Sequence, residues 1–422
     1  MVGVNDIVIT GLGCVTPIGI GRAALWQSLA AGRCGIRRLH VTQDEQRLAL
    51  YGARIDDFDG KQHVTPRKAL KVMSREVQLA YASAQLAWED AELGNCSLTP
   101  DRVGVVYGSE MIPGDHEDFT LAVRACSNNG KMDAAAWGPS FTKHIFPLWM
   151  LRNLPNMPAC HVGIAIDARG PNNTIAQEEV SSLLALSEAA AVIDRDQADL
   201  MVVGAIGSRI TPTRLSYRAP GLYDQHPVDD QAQRCIPFDA RRRGIVPGEG
   251  AGTIVLERRS HAVRRGAKIY GVLQSCACGF GRPAAKWGGS SIALTQVMHS
   301  ALERASLEPG DLSHISAQGY SEQHLDVSEA TAIAAVAPGI PVSAFSSHFG
   351  TVGAASGMLE LIASLLAARA GLVLPILGFA QSDEACPITT YSVAQPAGEP
   401  WFLKLSFTPT GHAAAVVVQC IK

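Results

Sequence analysis

The sequence predicts an α/β fold in which helices pack on sheets, and three observations lead there. Short β-branched runs recur along the chain, apolar or amphipathic helical stretches alternate with them, and 422 residues are too many for one small core. The first run, 7–10 (IVIT), leads into a glycine-rich turn, and a helical pattern follows at 23–31. The pattern at 75–92 predicts a second helix before a strand at 103–107. A long apolar helix is expected at 180–193, then strands at 200–204 and 253–256. The later part repeats the alternation, with helices at 292–305 and 357–371 and strands at 342–344 and 415–419.

No low-complexity linker interrupts this series. The internal boundary is therefore expected after the strand ending at Glu257, where RRSHAVRRGAK restarts a helix-to-strand unit. This divides the chain into two similar halves, 1–257 and 258–422. Residues 109–155 lack clean periodicity and carry Pro113, Gly114, Gly130, Pro139 and Pro147. They are expected to leave the core as a long excursion, of the kind that builds interfaces or tunnels.

Composition narrows the function. Hydrophobic residues make up 47% and charged residues 18%, which predicts much internal or interfacial surface. A net charge of −3 gives no nucleic-acid footprint. The ten cysteines are scattered, and the one close pair, Cys276 and Cys278, has neither zinc-knuckle nor CxxC spacing. They read as small buried hydrophobes in a reducing compartment, with no metal and no cofactor implied. Near the N-terminus DIVITGLG, from Asp6, reads as a strand and turn, and no charged and apolar leader pattern is expected. The most membrane-like segment, 354–380, carries Glu360 and Arg369 and is broken by Pro375, so a buried helix followed by a strand is expected there. The expected location is cytoplasmic, with no membrane partner.

The stretch 170–182, GPNNTIAQEEVSS, places two adjacent glutamates, Glu178 and Glu179, at the entry to the apolar helix. Carboxylates entering a buried helix are costly unless something there favours charge. The helix N-terminus does, through its unpaired N–H groups and the positive end of its dipole. Two readings follow: a helix cap paired with arginines from elsewhere, or a general acid/base, which would need a second titratable group with its pKa shifted the other way.

Landmarks on either side of this stretch resemble the β-ketoacyl-acyl-carrier-protein synthases, the condensing enzymes of fatty-acid and polyketide synthesis, over essentially the whole chain. They are 8–19 (VITGLGCVTPIG), 154–161 (LPNMPACH), 168–171 (ARGP), 198–204 (ADLMVVG), 237–241 (PFDAR) with 247–252 (PGEGAG), and 350–360 (GTVGAASGMLE). The resemblance implies a thiolase-like fold, a duplicated five-layered α-β-α-β-α core that works as a dimer. It also implies a nucleophilic cysteine at the start of the buried helix, two histidines that assist decarboxylation of the malonyl unit, a lysine that orients one of them, and a phenylalanine that gates the pocket.

Every one of those positions is changed here. The match from Gly170 to Asp199 needs no gap and places Glu179 where the cysteine belongs; no cysteine occurs between Cys160 and Cys235. Gln318, in SAQGY, replaces the first histidine, Thr351 the second, Ser346 the lysine and Pro409 the gating phenylalanine. His324, His348 and His412 lie near these positions and read as surface or hydrogen-bonded histidines. A carboxylate is a weak nucleophile, and acyl transfer to it would give a hydrolysable anhydride.

The resemblance therefore implies a condensing-enzyme homologue that does not condense, most like the chain-length-factor subunits that pair with an active ketosynthase. Those subunits commonly carry glutamine at the cysteine position, and Glu179 departs from that pattern. The expected partners are an active ketosynthase in a heterodimer and an acyl carrier protein, reached mainly through that ketosynthase. Phe146, Leu148, Trp149, Met150 and Glu178 are candidates for the tunnel wall or interface, and Arg241, Arg242 and Arg243 for carrier-protein contact. Two alternatives stay open: altered chemistry using Glu179 (a carrier-protein-dependent decarboxylase, hydrolase or acyltransferase), and a homodimeric scaffold.

Overall fold

The computed structural model describes residues 7–43, 46–110, 116–217, 222–223, 235–283 and 288–422. Its main sheet contains ten strands along one path: β1 (Ile7–Thr16), β2 (Val103–Gly108), β3 (Asn172–Ile175), β4 (Leu200–Ser208), β5 (Glu249–Arg258), β6 (Gly271–Phe280), β7 (Leu312–Ser316), β8 (Val342–Ser343), β9 (Trp401–Phe407) and β10 (His412–Cys420). Their spatial order is 8-7-9-10-6-1-5-4-2-3, with the two-residue strand Gly19–Ile20 added beside β1.

Each half repeats one pattern. In the first, β3, β2 and β4 are parallel neighbours, and β5 and β1 continue antiparallel. In the second, β8, β7 and β9 are parallel, and β10 and β6 continue antiparallel. The halves join where Ile7 to Ile9 pair with Gly271 to Leu273. The duplication is thus written in strand order and in strand direction alike.

The helices that matter to the site are α1 (Arg22–Ala30), α2 (Arg75–Asp90), α3 (His116–Ala125), α4 (Ala134–His144), α5 (Trp149–Asn153), α6 (Met157–Ala165), α7 (Ser181–Asp194), α8 (Pro212–Tyr217), α9 (Ser291–Ala305), α10 (Gln323–Val336) and α11 (Ser356–Arg369). Helices α7 and α11 pack on each other and touch strands of both halves, so they form the central layer. Helix α2 covers the outer face of the first half, and α9 with α10 covers that of the second. The result is the five-layered thiolase-like arrangement. Apolar burial explains the central layer: from Ser356 to Ala368 every residue of α11 is buried, which no one-sided helix could tolerate.

The excursion is more ordered than its sequence suggests. Helices α3, α4 and α5 form within 116–153, and Pro139 lies inside α4 instead of breaking it. An aromatic cluster holds them together: the Trp149 ring meets Phe119 edge-on at 5.0 Å and Phe141 at 6.1 Å. Among the described residues, no helix is long and apolar enough to cross a membrane.

Candidate functional site

The turn after β3 carries the site. Glu178 adopts a left-handed conformation with φ 53°, uncommon for a residue with a side chain, and opens a short 3₁₀ turn, Glu178–Val180, that runs into α7. Ser181 pins this elbow: its Oγ accepts from the Gln177 amide at 2.7 Å and donates to the Glu178 carbonyl at 2.6 Å. The elbow turns Glu179 inward, leaving it 5% exposed, while Glu178 is half-buried.

Glu179 meets an arginine there. Its Oε1 accepts from Nη2 of Arg209, the residue that follows β4. The same Nη2 lies 3.1 Å from Oε1 of Glu110, two residues beyond β2. The other oxygen of Glu110 pairs with Nη1 of Arg214 in α8, and its Oε1 also accepts from the Ala354 amide at 2.8 Å. Among the described residues, two acids and two bases thus form one buried tetrad of matched charge. Its side chains are 1–6% exposed. Burial pushes the Glu179 carboxyl up to about 7 against the pull of Arg209, and Glu178 and Glu110 push the same way as burial. The attraction of Glu110 and Glu179 outweighs burial at Arg209, whose guanidinium is held protonated.

The positions where histidines would be expected are also inside. Gln318 follows β7 as Glu110 follows β2, two residues past the strand end, so the two are mates in the duplicated topology. Gln318 Oε1 accepts from Ser406 at 2.9 Å and its backbone amide donates to Glu329 at 2.7 Å. Its Nε2, Thr351 Oγ1 and Glu179 Oε2 have no hydrogen-bond partner among the described residues. None of Gln318, Thr351 or Ser346 can titrate near neutrality, so these three positions offer the Glu179 carboxyl no acid–base counterpart.

Ser346 is buried and donates to the Gly319 carbonyl at 2.5 Å. Lys404 of β9 is fully buried, pairs with Glu360 of α11, and donates to the carbonyls of Ser316 and Ala317 at 3.3 and 3.2 Å. The carboxyl of Glu360 is raised to about 7 by burial, with Lys404 opposing. Sequence reasoning missed Arg209, Arg214, Glu110 and Lys404. For Glu110, Arg209 and Lys404 the linear signal was a charged residue at or just beyond an apolar strand; Arg214, inside α8, had none.

The remaining predicted residues separate by place. Pro409 is half-buried in the turn between β9 and β10. His412, at the end of that turn, lies 2.9 Å from Gln177 and beside the Phe280 ring. His348 is buried, with its Nδ1 2.9 Å from the Arg33 carbonyl oxygen, whereas His324 is exposed at the start of α10. Phe146, Leu148 and Met150 are 46%, 47% and 52% exposed, but Trp149 turns back into its aromatic cluster. Arg242 is corrected as a surface contact: it is 4% exposed and paired with Asp383 at 2.6 Å. Arg241 is bound to Asp239 at 2.8 Å with its side chain partly outside, and Arg243 is exposed. Among the described residues, no group of three or more His, Cys, Asp or Glu is placed to hold a metal ion.

Residues 4–262 match the N-terminal domain of the beta-ketoacyl synthases, and residues 270–380 match their C-terminal domain. The chain belongs to the β-ketoacyl synthase family. It is 28% identical over 428 residues to a 3-oxoacyl-[acyl-carrier-protein] synthase 2 of Staphylococcus aureus, covering 98% of each chain. It is 30% identical over 391 residues to the Synechocystis protein of the same name, covering 90% of each. Among solved structures it resembles the ishigamide ketosynthase/chain length factor, with a TM-score of 0.85 at 22% identity, covering 99% of this chain and 100% of that one. A type II polyketide acyl-carrier protein in complex with its ketosynthase matches with a TM-score of 0.84 at 23% identity, again covering 99% and 100%. A β-ketoacyl synthase from Burkholderia phymatum matches at 0.83 and 24%, with the same coverage. This β-ketoacyl synthase homologue thus carries the family's fold with an ion-paired glutamate at its elbow.

Proposed function

We propose that this chain is the non-catalytic, chain-length-factor-like partner of an active β-ketoacyl synthase, forming a cytoplasmic heterodimer with it and one wall of the tunnel that receives the growing acyl or polyketide chain. The observation that carries the reading is the ion pair between Glu179 and Arg209. A carboxylate at the elbow, held by an internal arginine, cannot be acylated usefully, and Gln318 and Thr351 offer no group to assist decarboxylation. The exposed apolar side chains of the excursion, Leu121, Met132, Phe146, Leu148 and Met150, favour a partner surface there, with Trp149 behind it and Glu178 at the elbow edge. The similarity to the ishigamide ketosynthase/chain length factor is compatible with that pairing. Acyl carrier protein would reach the complex through the ketosynthase, with Arg241 and Arg243 as the exposed cations on this chain.

The test is co-expression with a co-encoded homologue that keeps the cysteine and both histidines. A stable one-to-one complex that makes product, with the isolated chain inert, is the expected result. A homodimer that ignores the ketosynthase would support the scaffold instead. One observation favours the second reading, altered chemistry at Glu179: its carboxyl is raised to about 7 and one oxygen is unpartnered among the described residues. Turnover by the isolated chain that disappears in Glu179→Gln would establish it.

A further inference from the structure

The side chain at position 179 leaves the elbow toward the carboxyl ends of β2 and β4, because its ion-pair partner follows β4 and that partner's second carboxylate follows β2. In an open parallel sheet this is the end where ligands bind. Here the space is filled by charge. Glu110 is fixed from three sides, by Arg209, by Arg214 and by the Ala354 amide. The backbone opposite is shaped to admit the pair: at Gly353, φ 69°, a Cβ would stand 1.9 Å from Glu110 Oε1 and 2.7 Å from Arg209 Nε. On the other side, α7 closes on β2 so tightly that a Cβ at Gly108 would lie 2.7 Å from the Ser181 carbonyl carbon.

We infer that Arg209 and Glu110 occupy the room an acyl chain attached at position 179 would need, so that this chain closes its own pocket and leaves any long acyl chain to be held outside it. A methylene chain entering here would have to push the Arg209 guanidinium and the Glu110 carboxylate apart inside the protein, and the area it buries would not offset that loss. The inference rests on reading residue 179 as the former nucleophile position, and is independent of whether the chain pairs with a ketosynthase.

The experiment installs a thiol and measures the depth behind it. Glu179→Cys is treated with iodoacetamide and, separately, with N-octyl iodoacetamide, and modification is followed at the residue 179 peptide by mass spectrometry. In both reactions the thiolate sulfur bonds to the reagent's methylene carbon, iodide leaves with the C–I electron pair, and the thiol proton goes to buffer. Cys278, exposed in the same chain, is the internal reference for the intrinsic difference between reagents.

The expected result is that the octyl reagent is disfavoured at position 179, relative to Cys278, by about tenfold or more. A position 179 thiol inert to both reagents is complete closure and supports the inference equally. In E179C/R209A, which keeps the Glu110–Arg214 pair and the charge balance, octyl labelling should rise to the Cys278 ratio. Equal ratios at positions 179 and 278 in E179C overturn the inference, as does continued exclusion of the octyl reagent by a folded E179C/R209A. Should that double variant not fold, by its melting curve, E179C alone decides. A closed pocket in a chain that turns over unaided would overturn the functional reading and leave this inference standing; an open pocket in a chain that pairs with a ketosynthase would do the reverse.

Discussion

Glu179 and Arg209 lie 30 residues apart in sequence and share one ion pair inside the protein, both almost completely shielded from solvent. Removing one partner of a buried pair strands the other charge, so Arg209→Met should destabilise the fold by about 3–5 kcal/mol. The double variant E179Q/R209M should recover most of that loss, a coupling that urea denaturation of the two single variants and the double variant would measure.

The same carboxylate predicts an unusual pH dependence. Its pKa in the folded protein, about 7, lies above the ordinary value of 4.5, so from pH 4.5 to 7 the unfolded chain releases this proton first. Stability contributed by this group is therefore full at low pH and falls as pH rises through that window. Glu257 behaves oppositely. Burial alone would raise it, but hydrogen bonds from Arg265, His261 and Thr10 prevail and hold it at about 2, so its contribution is present above pH 4.5 and lost as pH falls toward 2. Unfolding free energy measured against pH should show E179Q gaining on the wild type between 4.5 and 7, and E257Q flattening the acid limb.

Much of the fold was legible because its signals are local. The pattern at 75–92 became α2, Arg75–Asp90, and the apolar 357–371 became α11, Ser356–Arg369. Helix α10 escaped notice because Asp326 and Glu329 interrupt its apolar pattern; both are buried, and they accept amides from the 318–321 loop and from Phe238. That a glutamate stands where the resemblance places a cysteine was readable, since one residue type at one place carries it. The ion-paired tetrad was not, because Glu110, Glu179, Arg209 and Arg214 meet only when the ends of β2 and β4 are brought beside the elbow. Trp149 illustrates the remaining gap: the family resemblance offered it as a tunnel-wall or interface candidate, and only the structure shows its ring packed against Phe119 and Phe141.

Lys404 and Ser346 form a second testable relationship. The resemblance implies a lysine at position 346; here Lys404 neutralises Glu360 and ties down the carbonyls that precede Gln318. Lys404→Met should cost about 3–5 kcal/mol, and adding Ser346→Lys should restore part of it. Thermal melts of the single and double variants provide the readout.

The excursion predicts a division of labour among neighbours. Leu148→Arg, at an exposed position, should leave the fold intact and weaken a complex with the ketosynthase by about tenfold to a hundredfold, roughly 1.4–2.8 kcal/mol. Trp149→Ala should instead loosen helices α3 to α5, seen as faster hydrogen exchange across 116–153.

The most direct measurement uses the reconstituted pair and asks which chain does the chemistry. Product formation is compared for the wild-type pair, for a pair whose ketosynthase has its nucleophilic cysteine replaced by alanine, and for a pair carrying folded Glu179→Gln in this chain. The expected result is no product without the partner's cysteine, and a rate within about twofold of wild type with E179Q, since a group that makes no transition-state contact changes the barrier little. Product that persists without that cysteine and vanishes with E179Q would contradict a non-catalytic role for this chain.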